Sequence, residues 1–184
     1  MKRILLLAAL LLACLCVAAH AETTTVPIEF DYGQSEARAM LDMINSFRQG
    51  PDAWYWDYTD TNKVYVRCGP LVYDYELEKV AMLRAAEIAV SFDHTRPNGR
   101  SCFSVTQFGT QSYGENIAAG YTSAQRVFVG WQESSDPYAG QGHRRNMLNP
   151  GFTSVGIGHV KLGRYDYWVQ EFSDSWGNAP YALT

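Results

Sequence analysis

The sequence predicts a layered α+β domain in which helices bracket a small antiparallel sheet. Three observations lead there. Residues 34–48 carry Ala37, Met40, Leu41, Ile44 and Phe47 at helical spacing, which gives one apolar face. Residues 75–91 repeat the pattern through Leu77, Val80, Ala81, Ala85 and Ile88, with Arg84 inside the same stripe. Asp74 is the expected N-cap of this second helix, and Glu76 and Glu78 suit its positive end. Near the C-terminus, Ser154–Leu162 and Tyr165–Ser173 read as two strands joined at Gly163-Arg164, a hairpin.

Taken in order, the chain opens with Lys2 and Arg3, an apolar run from Ile4 to Ala18, and Ala19-His20-Ala21. That is the pattern of a secretory signal peptide over residues 1–21, too short for a spanning helix. Attachment of lipid at Cys14, after Leu11-Leu12-Ala13, is the minor alternative. Removing the first 21 of 184 residues leaves 163, the length of one domain. The same cut takes two basic residues and no acid, so the formal charge moves from −4 to −6. An acidic exported chain has no electrostatic reason to bind nucleic acid. Cys68 and Cys102 are the only cysteines left, and in an oxidising compartment a lone pair is expected to form a disulfide.

Residues 22–33 read as a polar, threonine-rich arm ahead of a domain at 34–184. Gly50-Pro51 ends the first helix. The aromatic stretch Trp54-Tyr55-Trp56-Asp57-Tyr58 is expected to be an inserted loop folded onto the core, with a sugar or lipid platform as the alternative. Val64–Arg67 reads as a short edge strand. His94 follows the second helix directly and precedes a Pro97-Asn98-Gly99 turn. Tyr113–Ala118 is a short element between turns. A third helix is expected over 123–134, with Ser123 as its cap and Ala124, Val127, Phe128 and Trp131 on one face. His143–Leu148 reads as a fourth, short helix between Gly140-Gln141-Gly142 and the Asn149-Pro150-Gly151 turn.

His94 and His143, with Glu115 and Glu133 as acids, are the residues with chemistry to offer. Neutral imidazoles beside a carboxylate suit a zinc-type site or general-base work on water. His159 is expected on a strand surface. Arg144 and Arg145 are expected on a solvated helix face or in carboxylate pairs.

Taken together, several motifs resemble the CAP superfamily, also called the SCP or cysteine-rich secretory protein, antigen 5 and pathogenesis-related-1 family. They are Met40–Arg48, Leu77–Glu87 leading into His94-Thr95-Arg96-Pro97-Asn98-Gly99, Gly114-Glu115-Asn116-Ile117-Ala118, Trp131, Gly142–Leu148, Val155-Gly156-Ile157-Gly158 and Trp168–Phe172. They follow the family's order, and the His-Arg-x-Asn form is similar to its prokaryotic branch. The resemblance implies a three-layer α-β-α sandwich with a central cleft lined by two histidines and two glutamates. The histidines, here His94 and His143, can hold a divalent metal such as zinc. Glu115 matches the first acid and is the candidate catalytic group. The second acid is expected three residues after Trp131, where this chain has Ser134. Glu133 lies one place early, and one residue on a helix turns a side chain by about 100°, so Glu133 is not expected to substitute simply.

Three functions follow. The first is a secreted binding module whose cleft takes a metal and an extracellular ligand: a peptide, a lipid or a cell-surface component. No G-x-S-x-G and no H-E-x-x-H occurs, so no standard hydrolase apparatus is visible. The second is a hydrolase in which His94 or His143 works with Glu115 on water. The third is a sterol or lipid carrier using the aromatic stretch at Trp54–Tyr58.

Overall fold

The computed structural model describes residues 27–175 and Gly177. The signal-peptide segment 1–21, Cys14 and most of the tail after 174 lie outside these residues.

Among the described residues the α-helices and strands are ordered as β1 (Asp31–Tyr32), α1 (Gln34–Gln49), β2 (Trp54–Trp56), β3 (Lys63–Tyr65), β4 (Val72–Tyr73), α2 (Tyr75–Val90), β5 (Gly114–Ala119), α3 (Ala124–Gln132), α4 (Gly142–Met147), β6 (Ser154–Leu162) and β7 (Tyr165–Ser173). One sheet runs β1-β6-β7-β5. Its long pairs are antiparallel, and β4 joins the other end of β6 in parallel. The lead-in is therefore not all arm, because Asp31 and Tyr32 pair with Lys161 and Val160 and add an edge strand.

Side chains alternate across a strand, and here the alternation builds three layers. Val155, Ile157, Trp168 and Phe172 face a core shared with α1, α3 and α4. Val160, Val169 and Ile117 face α2 through Ala81, Ala85 and Ile88. Gly156 and Gly158 lie on the α2 side, where an added Cβ would sit 2.2 Å from Glu78 N and 2.3 Å from Ala81 O. Glycine at both positions lets the α2 backbone rest directly on β6. Asp74 caps α2 as expected, accepting from the amides of Glu76 and Leu77 at 2.8 and 3.0 Å.

The aromatic stretch forms β2, paired with β3 in a separate two-stranded ribbon. Trp54 is buried, and the Lys63 ammonium sits 3.8 Å from its ring centroid. Tyr58 and Tyr65 are the aromatic residues of this ribbon that are largely exposed.

Three sequence expectations are corrected. Cys68 and Cys102 are both free thiols. Cys68 Sγ donates to Leu148 O beyond the end of α4, whereas Cys102 packs beside His94 and Glu115, so the two serve different neighbourhoods. His159 is buried rather than on a strand surface: its ring stacks on Trp168 at 3.6 Å and 5°, and Nε2 bonds Asp166 at 2.9 Å. Arg144 is not on a solvated face. It is buried, and its guanidinium binds the carbonyls of Trp54, Gln132 and Asp52 while lying 4.4 Å from the Trp54 ring centroid.

Candidate functional site

The site straddles β5, the edge strand beside β7. Successive strand residues point to opposite faces, so Gly-Glu-Asn divides its labour. Glu115 points to the α2 side and Asn116 to the α4 side. On the first side Glu115 accepts from Arg84 Nε at 2.6 Å, and its Oε1 lies 2.7 Å from His94 Nδ1. On the second, Asn116 Nδ2 donates to His143 O at 3.2 Å and to Gln170 at 2.8 Å. Asn146 on α4 closes the group by donating to Asn116 Oδ1 at 2.8 Å and to Glu115 O at 3.2 Å. Gly114 precedes them because an added Cβ would meet the Phe152 ring at 2.8 Å.

His94 lies just after α2 and is held without a disulfide. Arg84 Nη2 donates to Asp93 O at 2.8 Å, Cys102 N donates to His94 O at 3.0 Å, and Thr95 bridges Ser101. On the opposite side, α3 ends at Gln132, and Glu133 takes the left-handed conformation at φ 47°, ψ 39°. The helical rotation that argued against Glu133 therefore does not apply. Leaving the helix early turns its carboxylate to His143 Nδ1 and to the amide of Arg144, the latter at 3.2 Å. Glu133, rather than Ser134, is the acid beside this histidine. His94, Glu115, Glu133 and His143, with Asn116, Arg145 and Asn146, line one cleft of about 450 Å³.

The electrostatics follow from burial. Desolvation pushes the Glu115 carboxyl up, but the bonds from His94 and Arg84 outweigh it and leave it below the ordinary range. The Glu115 carboxylate raises His94 against partial desolvation. Glu171 stands opposite Glu115 in the β5–β7 ladder and is fully buried. Burial and the neighbouring Glu115 carboxylate push Glu171 well above the usual value. Burial, then Glu115 and Glu171, push the Cys102 thiol up to about 12.

Sequence reading assigned no role here to Arg84, Asn116, Asn146, Cys102 or Glu171. An acid within the apolar run Trp168–Phe172 was the signal for Glu171; for Cys102 there was none beyond its closeness to His94 in sequence.

Each imidazole has Nδ1 on a carboxylate. Donation of Nδ1–H fixes the tautomer in which Nε2 carries the lone pair, the form that ligates a metal or takes a proton. Among the described residues no helix is long and apolar enough to cross a membrane.

Comparison with known proteins agrees with this architecture. The chain is 36% identical over 108 residues to a Bacillus subtilis protein described as uncharacterized protein YkwD, a match covering 56% of this chain and 39% of that one. An extracellular protein containing an SCP domain from Bacillus anthracis superposes with a TM-score of 0.56 at 22% identity, over 75% of this chain and 40% of its own. The chain thus spans about two fifths of those relatives. NaASP2, in a structure described with Zn2+, gives 0.56 at 20% identity over 78% and 81% of the two chains. At such identities the structural matches speak for the fold alone. The sequence model of the cysteine-rich secretory protein family, CAP, matches residues 41–172, and this protein belongs to that family.

Proposed function

We propose that this CAP domain is an exported binding module whose cleft holds a divalent metal ion between His94 and His143 and offers it to an extracellular ligand. The observation that carries the reading is the pair of imidazoles on one cleft, each with Nδ1 engaged by a carboxylate, Glu115 for His94 and Glu133 for His143. That donor set suits zinc, which takes neutral imidazole nitrogen and keeps further positions for water or ligand. A zinc ion bound there would supply Lewis acidity to a coordinated oxygen. NaASP2, a fold relative, is described with Zn2+. The chain's own part is to fix both rings, to hold the His143 backbone through Asn116, and to keep Glu115 ionised through Arg84.

Calorimetric zinc titration near neutral pH tests this. Binding is expected to weaken as pH falls through the imidazole range at about 6.5, with His94 protonating early because Glu115 raises it. His94→Ala and His143→Ala are each expected to abolish the binding that the two histidines share, and Glu133→Gln to weaken it about 10- to 100-fold. Wild-type affinity in both histidine variants would refute the assignment.

The two histidine–glutamate pairs also favour a second reading, activation of water for hydrolysis. Incubation with a peptide library beside His143→Ala decides it, since equal background cleavage in the two removes the enzyme reading. The carrier reading loses ground because Trp54 is buried under Arg144 and Lys63.

A further inference from the structure

A second concavity of about 430 Å³ opens on the other flank of the His94–Glu115 pair, walled by Ser101, Cys102, Phe103 and Tyr113. His143 is not among its lining residues. At its base one ligand atom each from His94, Cys102 and Glu115 lie within 4.8 Å of one another.

The placement is built rather than incidental. Cys102 is buried at the head of a one-turn 3-10 helix, and its amide is bonded to the carbonyl of His94. The backbone bridge between Thr95 and Ser101 closes the intervening turn, so thiol and imidazole are presented from one short loop. Glu115 meets them from β5, anchored by Arg84.

Glu171 backs the Glu115 member of this group. Glu171 Oε2 accepts from Ser112 at 2.5 Å, but its Oε1 has no N–H or O–H donor among the described residues, and the side chain is fully buried. The group interacting with it across the ladder is the carboxyl of Glu115. Glu171 shares a hydrogen bond with Glu115 across the ladder, which leaves the Glu115 carboxylate aimed at Arg84 and His94.

We propose that Cys102, His94 and Glu115 form a site for a thiophilic divalent ion, Zn2+ or Cd2+ in class, separate from the one shared with His143. Metal–ligand bonds of about 2.0–2.3 Å in a tetrahedral site put ligand atoms about 3.3–3.8 Å apart, so the His94–Glu115 hydrogen bond of 2.7 Å must open and the Cys102 thiol must close by up to about 1 Å. His94 can supply that movement, since its side chain is 58% exposed. Binding forms a metal–sulfur bond as the Cys102 S–H bond breaks. The thiol proton passes to solvent, and nothing is oxidised or reduced.

Cobalt(II) titration of the full chain, stripped of metal and kept reduced with a phosphine, tests the proposal by a readout that a histidine-only site cannot give. The sulfur-to-cobalt charge-transfer band in the near ultraviolet is expected in the wild type, Cys68→Ser and His143→Ala, and is expected to vanish in Cys102→Ser and His94→Ala. No band in the wild type, or an undiminished band in folded Cys102→Ser, overturns it. Loss of one zinc equivalent in His143→Ala, with the cobalt–sulfur band retained, keeps the two readings apart. Should Cys102→Ser fail to fold, alkylation of the wild type decides. Modification of Cys102, followed by mass spectrometry, is expected to slow about tenfold with zinc at about ten times its Kd, and an unchanged rate overturns the site.

Discussion

Replacing Gly158 or Gly156 with alanine is expected to be among the more damaging small substitutions in this chain. A Cβ at Gly156 would lie 2.2 Å from both Glu78 N and the Leu77 carbonyl carbon, and one at Gly158 would lie 2.3 Å from Ala81 O. Ordinary contact begins at 3.4 Å, so α2 would have to retreat by about 1.2 Å at Gly156 and slightly less at Gly158. The obstructing atoms are helix backbone, which cannot swing aside as a side chain can. Retreat would loosen the packing of Ala81, Ala85 and Ile88 on Val160 and Val169 and draw Arg84 from Glu115. Overfilling a core costs about 1–3 kcal/mol, and with backbone in the way the upper end applies, about 3 kcal/mol. For a domain of this length that lowers Tm by about 6–12 °C. One retreat relieves both clashes, so the double variant should lose less than the sum of the singles. Urea denaturation and thermal melting measure the effect, with Gly69→Ala as the control, because nothing lies within 4 Å of a Cβ there. A Gly158→Ala midpoint within about 0.5 kcal/mol of wild type would refute the account of how α2 sits on the sheet.

Two further outcomes can be checked with the same denaturation assays. Arg48 is buried and donates to the carbonyls of Gly69, Met147, Asn149 and Phe152 at 2.6–3.1 Å. Arg48→Met leaves those acceptors short of donors and is expected to cost about 3–5 kcal/mol; a loss under about 1 kcal/mol would show that the carbonyls find other partners. Burial pushes the Glu78 carboxyl up, but the bonds from Arg38 at 2.6 and 2.7 Å and from Tyr73 at 2.7 Å outweigh it and leave it below the ordinary range. A depressed folded-state pKa stabilises above the unfolded value of about 4.3 and is lost as pH falls through the folded value. Stability should therefore drop in acid, and less steeply in Glu78→Gln. Equal slopes in the two proteins would remove Glu78 from the acid transition.

The sequence by itself determined the layers. Apolar period and caps marked α1 and α2, alternation and the Gly163-Arg164 turn marked the β6–β7 hairpin, and these signals are local. The order of motifs also carried the family and named His94, Glu115 and His143. Tertiary structure decided what stands beside each of them. Whether a helix stops at Gln132 or at Ser134 turns on a single backbone conformation at Glu133, and helical phase read forward from Trp131 pointed to Ser134 and away from Glu133. Likewise, counting cysteines suggested a bond, but each thiol is placed by its own neighbours: Leu148 for Cys68, and His94 with Glu115 for Cys102. The buried settings of Arg144, His159 and Glu171 were beyond reach for the same reason. A polar residue enters an interior when distant carbonyls, rings or carboxyls meet it there, and that meeting can join segments more than a hundred residues apart, as between Arg48 and Phe152.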